Sequence, residues 1–164
     1  GKSFNELGGS EYYKITGHVG KNVPKVRGAQ ARRAFKKVTK AIDLGLIKAC
    51  HDISEGGLGV AAAEMALAGG FGTELDLRKV PNDELERDDF ILFSESNSRF
   101  LLEIPEKAKD EFETLMKGIA CSEIGRVTKA PRLVIRGLEG TIAVEAQLEN
   151  LRKTWKGTLS TGVG

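Results

Sequence analysis

Ala31, Ala34, Phe35, Val38, Ile42 and Leu46 recur at spacings of three and four, with Arg32, Arg33, Lys36, Lys37 and Lys40 mostly on the other side. That spacing predicts an amphipathic helix with a solvated basic face. Residues 47–53 read as a short strand and pass through Ser54-Glu55-Gly56-Gly57 into residues 58–68, which are apolar on nearly every side and closed by Gly69-Gly70. A helix of that composition is expected to be buried, its small side chains letting the backbone approach a sheet closely. Residues 73–77 alternate as a strand does, residues 81–89 form a polar connection, and residues 98–104 make the clearest strand. Residues 90–93 are apolar but too few for periodicity to choose between helix and strand. Pro105 opens a helix with Ala108, Phe112, Leu115 and Met116 on one face and Gly118 at its end. Strands over 122–128 and 132–136, a turn at 137–140, a strand over 141–144 and a helix over 145–155 complete the pattern.

Helices and strands interleave, so the expected fold is α/β (α+β), a mixed β-sheet layered with helices. Residues 1–24, with no lasting periodicity, are expected to be a linker or entry segment carrying one short strand near 12–15. The α/β domain then occupies 25–157, and 158–164 form a flexible tail. No solenoid repeat is visible.

Composition narrows the picture. The 164 residues carry 25 basic and 23 acidic side chains, a formal net charge of +2, and the charges are dispersed. Nothing in that balance favours capture of nucleic acid or of an anionic membrane. Cys50, Cys121, His18 and His51 are too few for a disulfide framework or for a zinc site without carboxylate help. The apolar stretch around residues 56–71 is interrupted by Glu64 and falls short of a membrane span, and no basic-then-apolar leader opens the chain, so the cytoplasm is the expected compartment. A first residue of Gly rather than Met reads as a fragment or processed chain.

Two segments hold candidate chemistry. At the junction between strand and buried helix, Ser54, Gly56, Gly57 and Leu58 combine a hydroxyl, small residues and free helix N–H groups, an arrangement suited to an anion such as phosphate. A tight turn capped by Ser54 explains the same residues. The loop Ser94-Glu95-Ser96-Asn97-Ser98-Arg99 gathers hydroxyls, an acid, an amide and a guanidinium between two apolar runs. Glu95, Ser96, Asn97 and Arg99 suit a polyhydroxylated or phosphorylated ligand, or else a capped turn closed by a Glu95–Arg99 ion pair. Cys50 and His51 are strand neighbours pointing to opposite faces, which excludes a dyad between them. His51 beside Asp52 is either an oriented base or a histidine bonded to backbone, and Glu64 is either a paired buried carboxylate or, the preferred reading, at its helix edge.

The strings His51-Asp52-Ile53-Ser54-Glu55-Gly56-Gly57-Leu58, Ala63-Glu64-Met65-Ala66, Phe93-Ser94-Glu95-Ser96 and Arg99-Phe100 resemble the C-terminal domain of the aminoimidazole ribonucleotide synthetase superfamily, over nearly the whole chain. Leu7-Gly8-Gly9-Ser10-Glu11-Tyr12 and Leu151-Arg152-Lys153-Thr154-Trp155 are similar to its phosphoribosylformylglycinamidine synthase (synthase II) branch. The resemblance implies part of an ATP-dependent carbon–nitrogen ligase of purine biosynthesis. Such an enzyme converts formylglycinamide ribonucleotide and glutamine-derived ammonia into formylglycinamidine ribonucleotide through an iminophosphate. It implies two copies of an ATP-binding domain each followed by this domain, with this chain the second copy, acting as scaffold and partial ligand site. ATP and magnesium serve the full-length enzyme, their acidic ligands and the catalytic histidine lying outside this chain. No catalytic or metal-ligating residue and no cofactor is therefore expected here. The first copy's counterpart of Glu95-Ser96-Asn97 is the loop expected to touch substrate, with a glutamine where Asn97 stands. The implied partners are the missing ATP-binding domain, the glutaminase subunit of an amidotransferase complex and, through an uncovered apolar face, a second copy of the chain. Aminoimidazole ribonucleotide synthetase itself and a ligand-free dimerisation module are the alternatives.

Overall fold

Helix α1 (Glu11–Ile15) forms where a strand was expected. The residues there are not β-like in context: Ser10 caps the turn, its Oγ accepting the Tyr13 N–H at 3.2 Å, with Glu11 in the first turn and Lys14 in the last. A capped turn with charges placed to complement the helix dipole outweighs the β preference of two tyrosines. The computed structural model describes residues 1–160, with side chains described as far as Gly157.

The long amphipathic pattern yields α2 (Gly28–Asp43), which buries Ala31, Ala34, Val38 and Ala41. Val38 and Ala41 pack with Leu46 and with Ala108, Phe112 and Met116, the last two from α5 (Lys109–Met116). Pro105 sits as expected just ahead of this helical region, followed by a 3-10 turn over Glu106–Ala108. The expected strands appear as β1 (Ala49–Asp52) and β3 (Phe100–Glu103), antiparallel neighbours with Cys50 opposite Leu102 and His51 opposite Leu101. Together with α2 and α5 they form one half of the molecule.

The other half is built on α3 (Gly57–Gly69), the Ala- and Gly-rich helix, which buries Leu58, Ala61, Ala62 and Ala66. It packs on a four-stranded sheet of order β4-β2-β5-β6, formed by β4 (Gly125–Thr128), β2 (Gly72–Asp76), β5 (Arg132–Arg136) and β6 (Ile142–Gln147). Only the β2–β5 pairing is parallel. Residues 90–93 resolve as helix, part of α4 (Asp88–Phe93), because they lie against α3 and are not paired in a sheet. Ile53, Leu58, Leu75, Leu77, Ile91 and Ile135 are among the buried residues of this second core.

Three boundaries differ from the sequence reading. Residues 145–147 continue β6 where a helix was expected. Arg132 Nη1 donates to Glu145 Oε1 across the strands at 2.8 Å, and α6 (Leu148–Ser160) starts only where pairing with β5 ends. The segment 1–24 is no free linker, since Ser3, Leu7 and Ser10 are at most 1% exposed and Ser3 bridges to Asn82. Residues 158–160 of the expected tail belong to α6, whereas 161–164 lie outside the described residues.

At the end of β2, Asp76 hooks the chain into the 3-10 turn Leu77–Lys79. Its Oδ1 accepts from the Arg78 N–H at 3.0 Å and from Nε at 2.9 Å, and its Oδ2 from Nη2 at 2.6 Å. These bonds hold the carboxyl at a pKa of about 2. A carboxylate depressed on folding stabilises the fold above its unfolded value of about 3.9 and loses that contribution as pH falls through the folded value. Acid unfolding followed by circular dichroism is therefore expected to show a contribution from Asp76 that disappears between about pH 4 and 2. Asp76→Asn is expected to abolish that pH-dependent part while leaving the remaining transitions.

Candidate functional site

The expected ligand loop and the expected anion junction meet, but through a contact that no local pattern announces. Glu95 Oε1 accepts the Gly56 N–H at 2.9 Å and the Glu11 N–H at 3.1 Å. One carboxylate thus sits at the start of α3 and of α1, where the helix N-terminal partial positive charge favours an anion. The protein's own side chain occupies the place assigned to phosphate.

The next N–H group is bonded within the chain as well. Gly57 N–H donates to the Ser54 carbonyl at 3.1 Å, and Leu58 is 1% exposed. The expectation that Gly56, Gly57 and Leu58 present outward N–H groups is corrected for Gly56 and Gly57, whose N–H groups are taken, and Leu58 is buried. Ser54 is exposed and does not cap the helix, because the N-cap position falls at Gly56, which makes no side-chain bond. Gly56 and Gly57 both adopt positive φ, +74° and +66°. Gly57 is further fixed by close approach: a Cβ there would lie 2.5 Å from the Leu92 carbonyl oxygen and 2.7 Å from that of Ser94.

Arg99 does not pair with Glu95, and its guanidinium is turned to oxygens of the chain itself. It is 3% exposed, with Nε donating to the Ser96 carbonyl at 2.8 Å, Nη1 to Ser3 Oγ at 2.8 Å and Nη2 to the Ser94 carbonyl. Burial pushes its pKa down to about 10, partly countered by the fields of Glu6 and Glu95. It therefore stays charged at neutral pH. Ser94 Oγ donates to the Phe4 carbonyl at 2.7 Å, Ser96 Oγ accepts the Phe4 N–H at 3.1 Å, and the two hydroxyls are 2.9 Å apart. Ser96 is buried as well, which leaves Asn97 and, in part, Glu95 and Ser98 as the members of the loop that solvent reaches.

Sequence reasoning missed the N-terminal contribution. Ser3, Phe4, Glu6 and Glu11 all touch this loop or its neighbours. Glu6 Oε1 accepts from Arg27 at 2.9 Å while its Oε2 is buried without a partner among the described residues, and Arg27 lies 3.5 Å over the Phe4 ring. Tyr12 stacks on Phe93 and donates to Asp89 Oδ2 at 2.9 Å, a bond that raises the tyrosine pKa, while Arg87 lowers that of Asp89. The Ser10-Glu11 start signal was the one local cue available, and it marks a helix rather than these contacts.

A second polar group stands apart on the β1–α3 face. His51 Nε2 is 2.9 Å from Glu64 Oε2, and its Nδ1 is 2.7 Å from the Asp52 carbonyl. The ring bonds backbone, and Glu64 pairs with it from the helix edge, its side chain 43% exposed rather than buried. Among the described residues no three His, Cys, Asp or Glu side chains gather as metal ligands. Gly56 N–H is held by Glu95, so an anion at the α3 terminus would have to displace that carboxylate.

Gly57→Ala and Gly70→Ala provide a matched test of the junction. Gly70 has φ +70° and nothing within 4 Å of an added Cβ, so its substitution carries the left-handed backbone cost alone, about 1–3 kcal/mol. Gly57→Ala adds the clash with the α4 carbonyls, and urea unfolding is expected to show the larger loss there. Equal losses would remove close approach as the reason for glycine at 57.

The family model described as AIR synthase related protein, C-terminal domain, matches residues 1–137. Phosphoribosylformylglycinamidine synthase subunit PurL of Moorella thermoacetica is 39% identical over 159 residues, covering 95% of this chain and 21% of that protein. The chain thus spans about a fifth of the length of the curated relatives it matches. Among solved structures, T. maritima PurL complexed with FGAR superimposes with a TM-score of 0.71 at 18% identity, over 79% of this chain and 22% of that one. T. maritima PurL complexed with ATP gives 0.68 at 20% identity, over 92% and 24%. The structural likeness fixes the fold, and the family match over residues 1–137 places the chain among the AIR synthase related proteins, as their C-terminal domain.

Proposed function

We propose that this chain is the C-terminal domain of an ATP-dependent phosphoribosylformylglycinamidine synthase, in which it acts as scaffold and as one wall of a ligand site. The observation that carries this reading is the 39% identity extending over 95% of the chain to a PurL subunit. In the proposed reaction, ATP activates the amide oxygen of formylglycinamide ribonucleotide and ammonia displaces the phosphate, with ATP and magnesium held by parts of the enzyme outside this chain. What this chain's residues do is positional. Arg99 fixes the loop 94–99 against Ser3, and Glu95 locks that loop to the starts of α1 and α3. Exposed Ser54, Glu55 and Asn97 beside this lock supply a polar rim for a ligand gripped mainly by the ATP-binding domain.

The partners follow from the same reading: the ATP-binding domain of the same enzyme and, in the assembled complex, a glutaminase subunit, all in the cytoplasm. Among the described residues no helix is long and apolar enough to cross a membrane. Large apolar side chains left open, among them Ile15, Val19, Val26 and Ile42, favour burial against a neighbour, which for the isolated chain is a second copy.

The test is enzymatic. The longer protein is expected to form formylglycinamidine ribonucleotide from formylglycinamide ribonucleotide, ammonia and ATP, whereas residues 1–164 alone turn over no ATP. ATP turnover that stays with the 164-residue chain through further purification would sink the assignment of chemistry to other domains. A longer protein that ignores formylglycinamide ribonucleotide but closes the ring of formylglycinamidine ribonucleotide would be the aminoimidazole-forming ligase instead. Light scattering of the isolated chain is expected to report a dimer or larger species, and a strict monomer at high concentration counts against self-association.

A further inference from the structure

The β1–β3 ribbon and the four-stranded sheet stop short of each other, and each ends on an open edge. Ile53 N–H donates to the Arg99 carbonyl at 3.0 Å, so Arg99, Leu101 and Glu103 turn their peptide groups toward β1. By alternation, the N–H and C=O of Phe100 and Leu102 face away from β1, with no backbone partner there among the described residues. β4 is in the same condition. Asp76 N–H donates to the Ile124 carbonyl at 2.8 Å, which leaves Gly125 and Val127 pointing away from β2. Open edges of this kind are templates for another strand.

Between them runs a groove of about 1380 Å³, lined by all four residues of β3 and by Gly125, Arg126 and Val127 of β4. Successive β3 side chains point to opposite faces, so a groove that touches all four follows the strand's edge. Apolar side chains stand on both sides of the sheet plane, with charged ones such as Glu64, Glu103, Lys109 and Arg126 in the rest of the lining. Met65 and Leu67 of α3 line it from the Leu101 side, Phe112 and Met116 of α5 from the side of Phe100 and Leu102. Val127 and Phe71 stand 47% and 56% exposed on it.

Gly1 stands at one end of this groove. Its nitrogen donates to the Ala120 carbonyl at 2.9 Å, and a Cβ on it would lie 2.8 Å from the Ser98 carbonyl, just ahead of β3. The curated relatives are about five times longer than this chain, so polypeptide to fill the groove is available in proteins of this type.

We propose that the groove receives one extended strand of about five or six residues that leads directly into Gly1 and joins β3 to β4 in one continuous sheet. Because its last residue meets Ser98, before β3 begins, the strand runs antiparallel to β3. The apolar side chains that meet it on both faces favour an occupant apolar at consecutive positions, a strand buried on both sides. This inference rests on the reading of the chain as one domain of a longer synthase, but its tests are structural. A longer protein without synthase activity would overturn the functional reading and leave the strand standing.

The first test is the sequence ahead of Gly1, where a charged or proline-containing run overturns the proposal. The second is amide hydrogen exchange in the longer protein, read by mass spectrometry on peptides covering 99–104 and 124–128. These amides are expected to exchange slower by roughly a hundredfold or more than in residues 1–164 alone. Equal rates overturn the proposal. So does protection that survives replacement of the six residues before Gly1 by a Gly-Ser repeat while β5 amides stay slow, since another domain or a second copy would then be the cover. If that replacement also releases β5, disulfide formation decides. With Cys50→Ser and Cys121→Ser, Val127→Cys is expected to crosslink to cysteines placed at alternate positions ahead of Gly1. Crosslinking at none of them overturns the strand.

Discussion

A buried guanidinium organises the centre of this chain. Arg99 is almost wholly removed from water, and an isolated charge in that position would cost several kcal/mol. It is tolerated because its donors meet the carbonyls of Ser94 and Ser96 and the hydroxyl of Ser3. Those acceptors come from a loop that must curl around the arginine and from a segment 96 residues away in sequence. The need to satisfy one cation therefore dictates the shape of the loop, including positive φ at Ser98, and the docking of residues 3–6 against it.

Once the loop is fixed, Glu95 has little freedom, and its carboxylate lands on the N–H groups of Gly56 and Glu11. The helix-terminal partial charge that elsewhere receives a phosphate is used here to fasten three segments together. A carboxylate at such a position contributes about 0.3–1 kcal/mol through the dipole. Its larger effect is geometric, since Gly57 can approach the α4 carbonyls only while the loop following α4 stays in place.

Elements set by local periodicity were legible in the sequence. The three-four spacing of Ala31, Ala34 and Val38 marked α2, the Gly-bounded run of small residues marked α3, and β1, β3 and β5 sit inside their expected segments. Two kinds of feature were not legible. Short elements whose form depends on one cap or one ladder, such as α1 behind Ser10 or the last residues of β6 opposite Arg132, offer too few positions for a period to emerge. Polar residues bonded across the chain offer no period at all. Glu95 and Arg99 lie four residues apart and suggest a mutual ion pair, yet each turns to a partner far away in sequence. The residue types at the site were readable, whereas their partners were not.

The same logic explains why the molecule has two cores. The two buried clusters share no member, and β3 is the element that faces both. Leu101 packs toward Leu58 and Ile91, while Phe100, Leu102 and Ile104 pack toward Val38 and Phe112. Alternation along a strand assigns each side chain to one face and leaves the peptide edge to neither. β1 satisfies one edge of β3, and α3 and α5 cover its faces, so the remaining edge is left without a backbone partner among the described residues. Arg99, immediately ahead of that strand, anchors it to Ser3 and so holds the start of the chain at the open edge.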